Sequence, residues 1–142
     1  MAKKSLDKSI SIFNRKVRYE YELLEVFTSG IQLHGTEIKS LRASNANITE
    51  AYCYVQRSEV WITGMYIAEY QYGSYMNHEP KRLRKLLLNK KEINKISSAL
   101  QNVGITLVPL KLYISDKGWA KIEIALSKGK KLHDKREDLK QK

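Results

Sequence analysis

The stretch VPLKLYISDKGWAKIEIAL, residues 108–126, decides the fold class of this chain. Apolar side chains recur at every second position over 108–114 and again over 122–126, which is the period of a β-strand with one buried face. The turn sequence Asp-Lys-Gly at 116–118 separates the two runs. The stretch therefore predicts an antiparallel hairpin.

Upstream, the same period-two alternation predicts further strands. Residues 18–23 alternate between aromatic or leucine side chains and charged ones, and the phase slips at Leu23-Leu24, as a β-bulge would require. Ser29-Gly30 then interrupts the pattern, and a short second strand follows over 31–33. The remaining predicted strands cover residues 51–55 and 60–67.

Helical spacing occurs in two places. A short helix is predicted from Gly35 to Arg42, with Ile38 and Leu41 on its inner face and basic side chains on its outer edge. A longer helix begins at a capping box over 89–92. Its apolar face consists of Ile93, Ile96, Leu100 and Val103, ahead of the helix-ending Gly104.

Together these elements predict one mainly β domain with short helices. The expected architecture is a small antiparallel β-barrel of the oligonucleotide-binding-like type, with about six strands and two to three helices. The barrel is expected over residues 14–126. Residues 1–13 are predicted to be a flexible N-terminal arm, and 127–142 a basic tail that stays disordered until bound because it has few apolar side chains.

The positive charge of the chain is segregated. Against 15 Asp and Glu stand 26 Lys and Arg, giving a formal net charge of +11. Residues 1–18, 81–95 and 127–142 contribute +5, +6 and +4, so the remainder sums to −4. Segregated positive charge is typical of proteins that bind a polyanion, because neutralised phosphates release counterions. The alternative is a solvated basic face without a partner.

The sequence contains no recognisable catalytic or metal-binding pattern. His34, His78 and His133 lie in separate segments, at no metal-ligand spacing from one another or from Cys53. Glycine-rich phosphate loops, serine elbows and zinc-protease motifs are absent. Cys53 alternates with core positions, which indicates a buried apolar residue. We therefore expect a non-enzyme with no metal and no cofactor.

The N-terminal residues lack the apolar stretch of a secretion signal. No apolar run approaches the roughly 20 residues of a membrane span. With only one cysteine, these features predict a soluble protein of the cytoplasm.

The nine tyrosines raise the question of base stacking. Tyrosines in the predicted strands fit packing on a sheet, whereas Tyr72 and Tyr75 lie in the irregular segment 70–82 and are better candidates for contact.

Several sequence blocks, in order, resemble the small protein B family of SsrA-binding proteins. Each block is short, but their order and spacing are specific and extend over nearly the whole chain. The blocks are NRK at 14–16, GTEIKSLR at 35–42, ANI at 46–48, NHEP at 77–80, RKLLL at 84–88, LVPLKLY at 107–113, GKK at 129–131 and DKR at 134–136.

The resemblance implies a noncatalytic adaptor on an oligonucleotide-binding-like barrel, located in the cytoplasm and without a cofactor. Such an adaptor binds the tRNA-like domain of transfer-messenger RNA and delivers it to stalled ribosomes for trans-translation, the tagging of incomplete proteins. The barrel would hold the RNA while the C-terminal tail enters the decoding region of the small ribosomal subunit. A monomer is expected, with neither DNA nor a membrane as a partner.

The resemblance also implies a set of RNA contacts by position. Lys and Arg are expected to bind phosphates, Asn and Ser to bind sugars or base edges, and Gly35 to permit close backbone approach. Leu87 either packs on RNA or supports the surface. Glu37 either orients an arginine, accepts a hydrogen bond from RNA, or interacts with the helix N-terminus. The predicted contacts are Asn14, Arg15, Lys16, Gly35, Glu37, Lys39, Ser40, Arg42, Asn47, Arg84, Lys85, Leu87 and Lys121.

For the tail, the resemblance implies contacts with the ribosomal decoding region. The sequence departs from the family pattern at Tyr19, where histidine is frequent, at Thr28, where some members have glutamate, and at Ser127, which replaces alanine. The chain also stops at Lys142, earlier than in members with longer tails. The predicted tail contacts are Gly129, Lys130, Lys131, His133, Asp134, Lys135 and Arg136.

Two other functions stay open on the sequence alone. The loop aromatics also suit a general chaperone of single-stranded RNA or DNA on the same barrel type. An RNA-processing enzyme is the third hypothesis, although no residue pattern favours it.

Overall fold

The computed structural model describes residues 10–73 and 77–130. Over these residues the chain forms nine strands and three helices. In chain order they are β1 Ser11–Phe13, α1 Val17–Glu20, β2 Tyr21–Ile31, α2 Gly35–Arg42, β3 Ala46–Asn47, β4 Tyr52–Gln56, β5 Glu59–Thr63, β6 Tyr66–Ile67, β7 Arg84–Leu87, α3 Lys90–Ala99, β8 Ile105–Ile114 and β9 Ala120–Gly129.

Six strands close into a barrel. The antiparallel pairings run β8–β4–β5–β7–β2–β9 and return from β9 to β8, so the ring has no free edge. Strand β1 adds to the outside of the ring by pairing with β8, and β3 with β6 forms a separate small sheet. The predicted antiparallel barrel of about six strands is confirmed.

The interior of the barrel is mainly aliphatic, and Cys53 is buried there as predicted. Burial raises the pKa of its thiol, so Cys53 is an apolar packing residue rather than a nucleophile. The largest fully buried apolar side chains are Leu41, Ile48, Ile62, Met65, Ile67, Leu86, Ile96, Leu107, Leu112, Ile122 and Ile124.

The β8–β9 hairpin forms as predicted, with one difference in its first strand. The register shifts between Pro109 and Lys111, which makes Leu110 the bulged residue. Because the bulge inverts the alternation, Leu107 enters the core while Leu110 is only half-buried. The prediction that Leu110 shares the core face of Leu112 is therefore wrong.

Strand β2 differs from the two strands predicted in its place. Residues 17–20 form a helical turn, and a single strand then continues through Ser29-Gly30 to Ile31. The bulge predicted at Leu23-Leu24 is confirmed by the register shift there. Gly30 is needed for close packing and not for a turn, since a Cβ on it would lie 3.3 Å from the Cβ of Leu87.

Alternation also fails to predict β7, although this strand closes the barrel between β5 and β2. Its inward positions are Arg84 and Leu86, both fully buried. An arginine at a core position removes the apolar alternation on which strand prediction depends.

Helices α2 and α3 form where the spacing predicts them. The capping box of α3 is present, with Asn89 Oδ1 accepting from the Glu92 amide at 2.9 Å. The helix ends at Ala99, however, and Val103 is 99% exposed, so its predicted place on the core face is wrong. After the helix the chain turns at Gly104, whose φ is +87°.

The structure corrects both predicted domain boundaries. Strand β1 lies inside the predicted arm 1–13, and β9 continues three residues past the predicted end of the barrel. Ser127 is fully buried in that extension, so residues 127–129 are not part of a disordered tail. Residues 1–9, 74–76 and 131–142 lie outside the described part of the chain.

Candidate nucleic-acid interface

A buried carboxylate lies in the first turn of α2. Glu37 Oε1 accepts hydrogen bonds from the His34 amide at 2.7 Å and from Arg82 Nη2 at 2.6 Å. Its Oε2 accepts from Arg84 Nε at 2.6 Å and from Arg82 Nε at 3.3 Å. One carboxylate thus holds two guanidinium groups and caps the helix.

Arg84 uses its other donors on backbone carbonyls. Nη1 donates to Met65 O at 2.9 Å and to Arg82 O at 3.1 Å, while Nη2 donates to Pro80 O at 3.1 Å. Neither Glu37 nor Arg84 exposes any side-chain surface. The pair therefore cross-links α2 to β7 and to the chain segments before it.

Burial and the surrounding donors act in opposite directions on the pKa of Glu37. Burial pushes the pKa of its carboxyl group up, but the hydrogen bonds from Arg82 and from the His34 amide and the charge of Arg84 push it down further. The pKa of Glu37 consequently lies below its ordinary value, and the carboxylate is charged at neutral pH.

His78 makes a second link between the start of α2 and its neighbours, through Thr36 and Ile67. One ring nitrogen lies 2.9 Å from Thr36 Oγ1 and the other 2.9 Å from the carbonyl oxygen of Ile67. The carbonyl can only accept, so the ring nitrogen that faces Ile67 donates to it, and the other ring nitrogen shares a hydrogen bond with the Thr36 hydroxyl. The His78 side chain is buried, so this residue of the NHEP block links α2 to β6 within the fold.

Four of the predicted RNA contacts are buried and are corrected here. Glu37 and Arg84 expose no surface, Ser40 exposes 1% and Asn14 exposes 7%. Asn14 Nδ2 instead donates to the carbonyl oxygens of Ile48 and Pro109, at 3.3 and 3.1 Å. Side chains buried to this extent offer little or no surface to a phosphate, so these residues support the surface around them.

The outer edge of α2 matches the prediction of exposed basic side chains. Gly35, Lys39 and Arg42 are all exposed. Lys39 Nζ lies 5.3 Å from the centre of the Tyr70 ring, a cation–π contact. At the other end of the helix, Arg42 Nη2 lies 3.8 Å from the position of a Cβ on Gly118 in the β8–β9 turn. The basic edge thus runs from the loop after β6 to the tip of the hairpin.

Two further predicted contacts are exposed but already have partners. Asn47 Oδ1 accepts from the Thr49 amide at 2.7 Å. Lys16 Nζ lies 3.2 Å from Glu50 Oε1 on the surface, an ion pair that solvent weakens. Arg15, beside it, is exposed as well.

The outer face of the barrel brings Leu87 and Lys121 together. Both are paired to Gly30, Leu87 from β7 and Lys121 from β9, so they flank a position without a side chain. Leu87 is 51% exposed. Lys85 precedes Leu87 by two residues and therefore lies on the same face, with its Nζ 3.1 Å from Glu59 Oε2.

The same outer face continues over residues that the sequence reasoning missed. In one row Thr28 is opposite Glu123, Glu123 opposite Lys111, and Lys111 opposite Phe13. In the neighbouring row Lys121 is opposite Tyr113. The signal was available, because these positions alternate with the predicted core residues of the hairpin. We call the set Phe13, Thr28, Leu87, Lys111, Tyr113, Lys121 and Glu123 the outer sheet face.

Trp119 is also missed by the sequence reasoning. It is 67% exposed at the tip of the β8–β9 hairpin, one residue after Gly118. An exposed tryptophan is suited to stacking on an unpaired base.

The tail residues fall into two groups. Gly129 pairs with Tyr21 at the end of β9, and the Lys130 amide donates to Glu20 O at 2.9 Å, so both belong to the barrel. The other predicted tail contacts, Lys131, His133, Asp134, Lys135 and Arg136, lie outside the described residues.

Over the described ranges 10–73 and 77–130, three or more His, Cys, Asp or Glu side chains nowhere gather in a way that could hold a metal ion. Within the same ranges, every helix is too short or too polar to span a bilayer.

Residues 11–142 match the family model described as SmpB protein. The chain belongs to the SmpB family. The resemblance inferred from the sequence blocks is thereby confirmed.

Curated relatives within the SmpB family are similar over nearly their whole length. The SsrA-binding protein of Phocaeicola vulgatus is 52% identical over 133 residues, covering 94% of this chain and 89% of the relative. That of Cytophaga hutchinsonii is 49% identical over 142 residues, covering 100% and 93%.

A solved structure supports the SmpB fold independently. It is described as "tmRNA-SmpB: a journey to the center of the bacterial ribosome". The matched chain is 42% identical, the TM-score is 0.74, and 87% of each chain is covered.

Proposed function

We propose that this SmpB-family chain is a noncatalytic adaptor of the cytoplasm that binds the tRNA-like domain of transfer-messenger RNA and delivers it to stalled ribosomes for trans-translation. The observation that carries the proposal is the similarity, at about half of all positions and over nearly the whole chain, to relatives named SsrA-binding protein. The exposed basic edge of α2 supplies a surface of the right charge.

The proposed contact set is reduced to side chains that RNA can reach. Lys39 and Arg42 on α2 and Arg15 before α1 bind phosphates, while Leu87 and Lys121 meet the RNA on the outer sheet face. The buried Glu37, Arg84, Ser40 and Asn14 act by holding these elements in place. The proposed contacts are Arg15, Lys16, Gly35, Lys39, Arg42, Asn47, Lys85, Leu87 and Lys121.

The proposed domains follow the structure. The barrel, which extends to Lys130, binds the tRNA-like domain. Residues 131–142 contact the decoding region of the small subunit. Lysine and arginine in that segment suit contact with ribosomal RNA.

A competition assay tests the proposal. Labelled tRNA-like domain is bound to the full chain at moderate salt, and unlabelled bulk tRNA or a random RNA duplex is added in excess. We expect a preference for the tRNA-like domain by a factor of about 10³, the low end of specific nucleic-acid recognition. Equal competition by all three RNAs would contradict the proposal.

The same assay separates the two rival functions. Tight binding to unstructured oligonucleotides that increases with their length would favour a single-strand chaperone. Cleavage of the bound RNA during long incubation, with or without a divalent metal, would favour an enzyme. We expect neither result.

A further inference from the structure

A groove of about 510 Å³ opens beside β1, where the outer sheet face meets the segment leading to α1. Its volume is within the range of roughly 300–1,000 Å³ typical of small-ligand sites. Its walls include Phe13, Arg15, Arg18 and Lys111, and Glu123 lies opposite Lys111 in the sheet register.

An aromatic and cationic ladder forms one wall. Lys111 Nζ lies 5.6 Å from the centre of the Phe13 ring and 4.8 Å from the centre of the Tyr113 ring. Both distances fit cation–π contacts, which hold the ammonium group between the two rings. Phe13 is nevertheless 54% exposed, so a large flat apolar surface stays open beside the groove.

Charge is distributed unevenly around the groove. Arg15, which precedes α1, and Arg18, which lies in α1, are both exposed and line the groove. Glu123 is half-buried among the strands, close enough to Tyr113 that its charge, added to the effect of burial, raises the pKa of that phenol. A phosphate is therefore favoured at the arginines, whereas Glu123 favours a hydrogen-bond donor such as an amino group or a 2′-hydroxyl.

We propose that this groove binds one unpaired nucleotide of an RNA, with the base stacked on the exposed ring of Phe13 and the phosphate bound by Arg15 and Arg18. The inference rests on the proposed function only for the identity of the RNA. The groove would be a single-nucleotide site separate from the basic edge of α2. Such a site explains why the Phe13 ring stays exposed in a groove lined by three cationic side chains.

Nucleotide titration of the isotope-labelled full chain tests the site directly by NMR. The probes are adenosine 5′-monophosphate, uridine 5′-monophosphate and, as a control, inorganic phosphate. We expect both nucleotides to shift the amide signals of Phe13, Lys111 and Tyr113, and phosphate to shift only those near the arginines. Nucleotides that perturb the groove no more than inorganic phosphate does would overturn the proposal.

Matched variants test the site in the complete RNA complex. Phe13→Leu keeps an apolar side chain but removes the ring, and stacking on one base is worth about 1 kcal/mol or more, so affinity for the tRNA-like domain should fall about fivefold or more. Phe13→Trp keeps a ring and should bind within about twofold of the wild type. Equal affinity of all three proteins would exclude stacking at Phe13.

The phosphate position has its own control. Arg18→Gln should weaken binding, whereas Arg57→Gln, at the exposed turn between β4 and β5, removes the same charge away from the groove and should change affinity by about twofold at most. Equal losses in both variants would mean that net charge and not the groove is responsible, which would overturn the proposal.

These outcomes are distinguishable from failure of the proposed function. If the wild type prefers the tRNA-like domain but the Phe13 and Arg18 variants bind as tightly, only the groove is excluded. If the wild type shows no preference while nucleotides still occupy the groove, only the identity of the RNA is wrong. Binding of an acidic peptide at the groove in place of nucleotides would point to a protein partner and exclude the nucleotide site.

Discussion

Glu37 holds two arginines with one buried carboxylate, and removing its charge would leave Arg84 buried without a counter-ion. Breaking a buried ion pair from one side typically costs about 3–5 kcal/mol. We therefore expect Glu37→Gln to lower the free energy of unfolding by that amount, measured by urea denaturation. Glu59→Gln removes the half-exposed partner of Lys85 and should cost about 1 kcal/mol or less. Equal losses would show that the Glu37 cluster is no stronger than a surface pair.

The charge of Glu37 should also make the free energy of unfolding depend on pH. Because the pKa of folded Glu37 lies below its usual 4.5, its charge stabilises the fold above that pH and the contribution is lost as pH falls through the lower folded value. The difference in unfolding free energy between wild type and Glu37→Gln should be constant from about pH 7 to pH 5 and shrink below about pH 4.5. Urea denaturation across this pH series measures it. A difference that widens in acid would contradict the assignment.

Among the elements, α2 presents its cations outward while its buried face anchors it. Lys39 and Arg42 are exposed, so replacing both with Ala should leave the unfolding free energy within about 1 kcal/mol of the wild type. RNA affinity should fall about tenfold or more, since each lost phosphate contact removes counterion release. Filter binding at two salt concentrations measures both the loss and a shallower salt dependence. Arg57→Gln with Lys91→Gln removes the same charge from other elements, and an equal loss there would argue against α2.

Two turn glycines form a matched pair at the element scale. Gly64 follows β5 with φ +79°, and a Cβ there would lie 2.8 Å from Glu50 O; Gly104 has φ +87° with open space around it. Gly104→Ala should therefore cost only the backbone strain, about 1–2 kcal/mol. Gly64→Ala adds a clash with backbone and should cost about 3 kcal/mol. Thermal unfolding of the two variants measures the difference, and equal costs would contradict the close approach at Gly64.

At the scale of the whole molecule, the barrel and the segment after it are expected to do different work. Lys130 still binds the barrel through its amide, so the cut belongs after it. Deleting residues 131–142 should leave affinity for the isolated tRNA-like domain within about twofold and abolish peptide tagging on stalled ribosomes. A binding assay and an in vitro tagging assay measure the two effects. A large loss of RNA affinity on deletion would refute the division of labour.

The positions of the charged residues illustrate what the sequence can predict and what it cannot. The three basic segments were evident from composition, and Lys39 and Arg42 were placed correctly by helical spacing. Arg84 was misplaced because a buried arginine and an exposed one look alike in a sequence. Its burial depends on Glu37, 47 residues away, and on carbonyl groups that only the fold brings within reach.

The sequence by itself determined the hairpin, the capped helix α3, the bulge in β2 and the family, since alternation, capping and block order are local properties of the chain. Only the tertiary structure decided which of the basic and polar residues face solvent and which are buried. It also decided that Phe13, Lys111 and Glu123 share a row of the outer sheet face. The physical reason is that burial and cross-strand neighbours result from pairing between distant segments, and a one-residue bulge is enough to exchange the two faces of a strand.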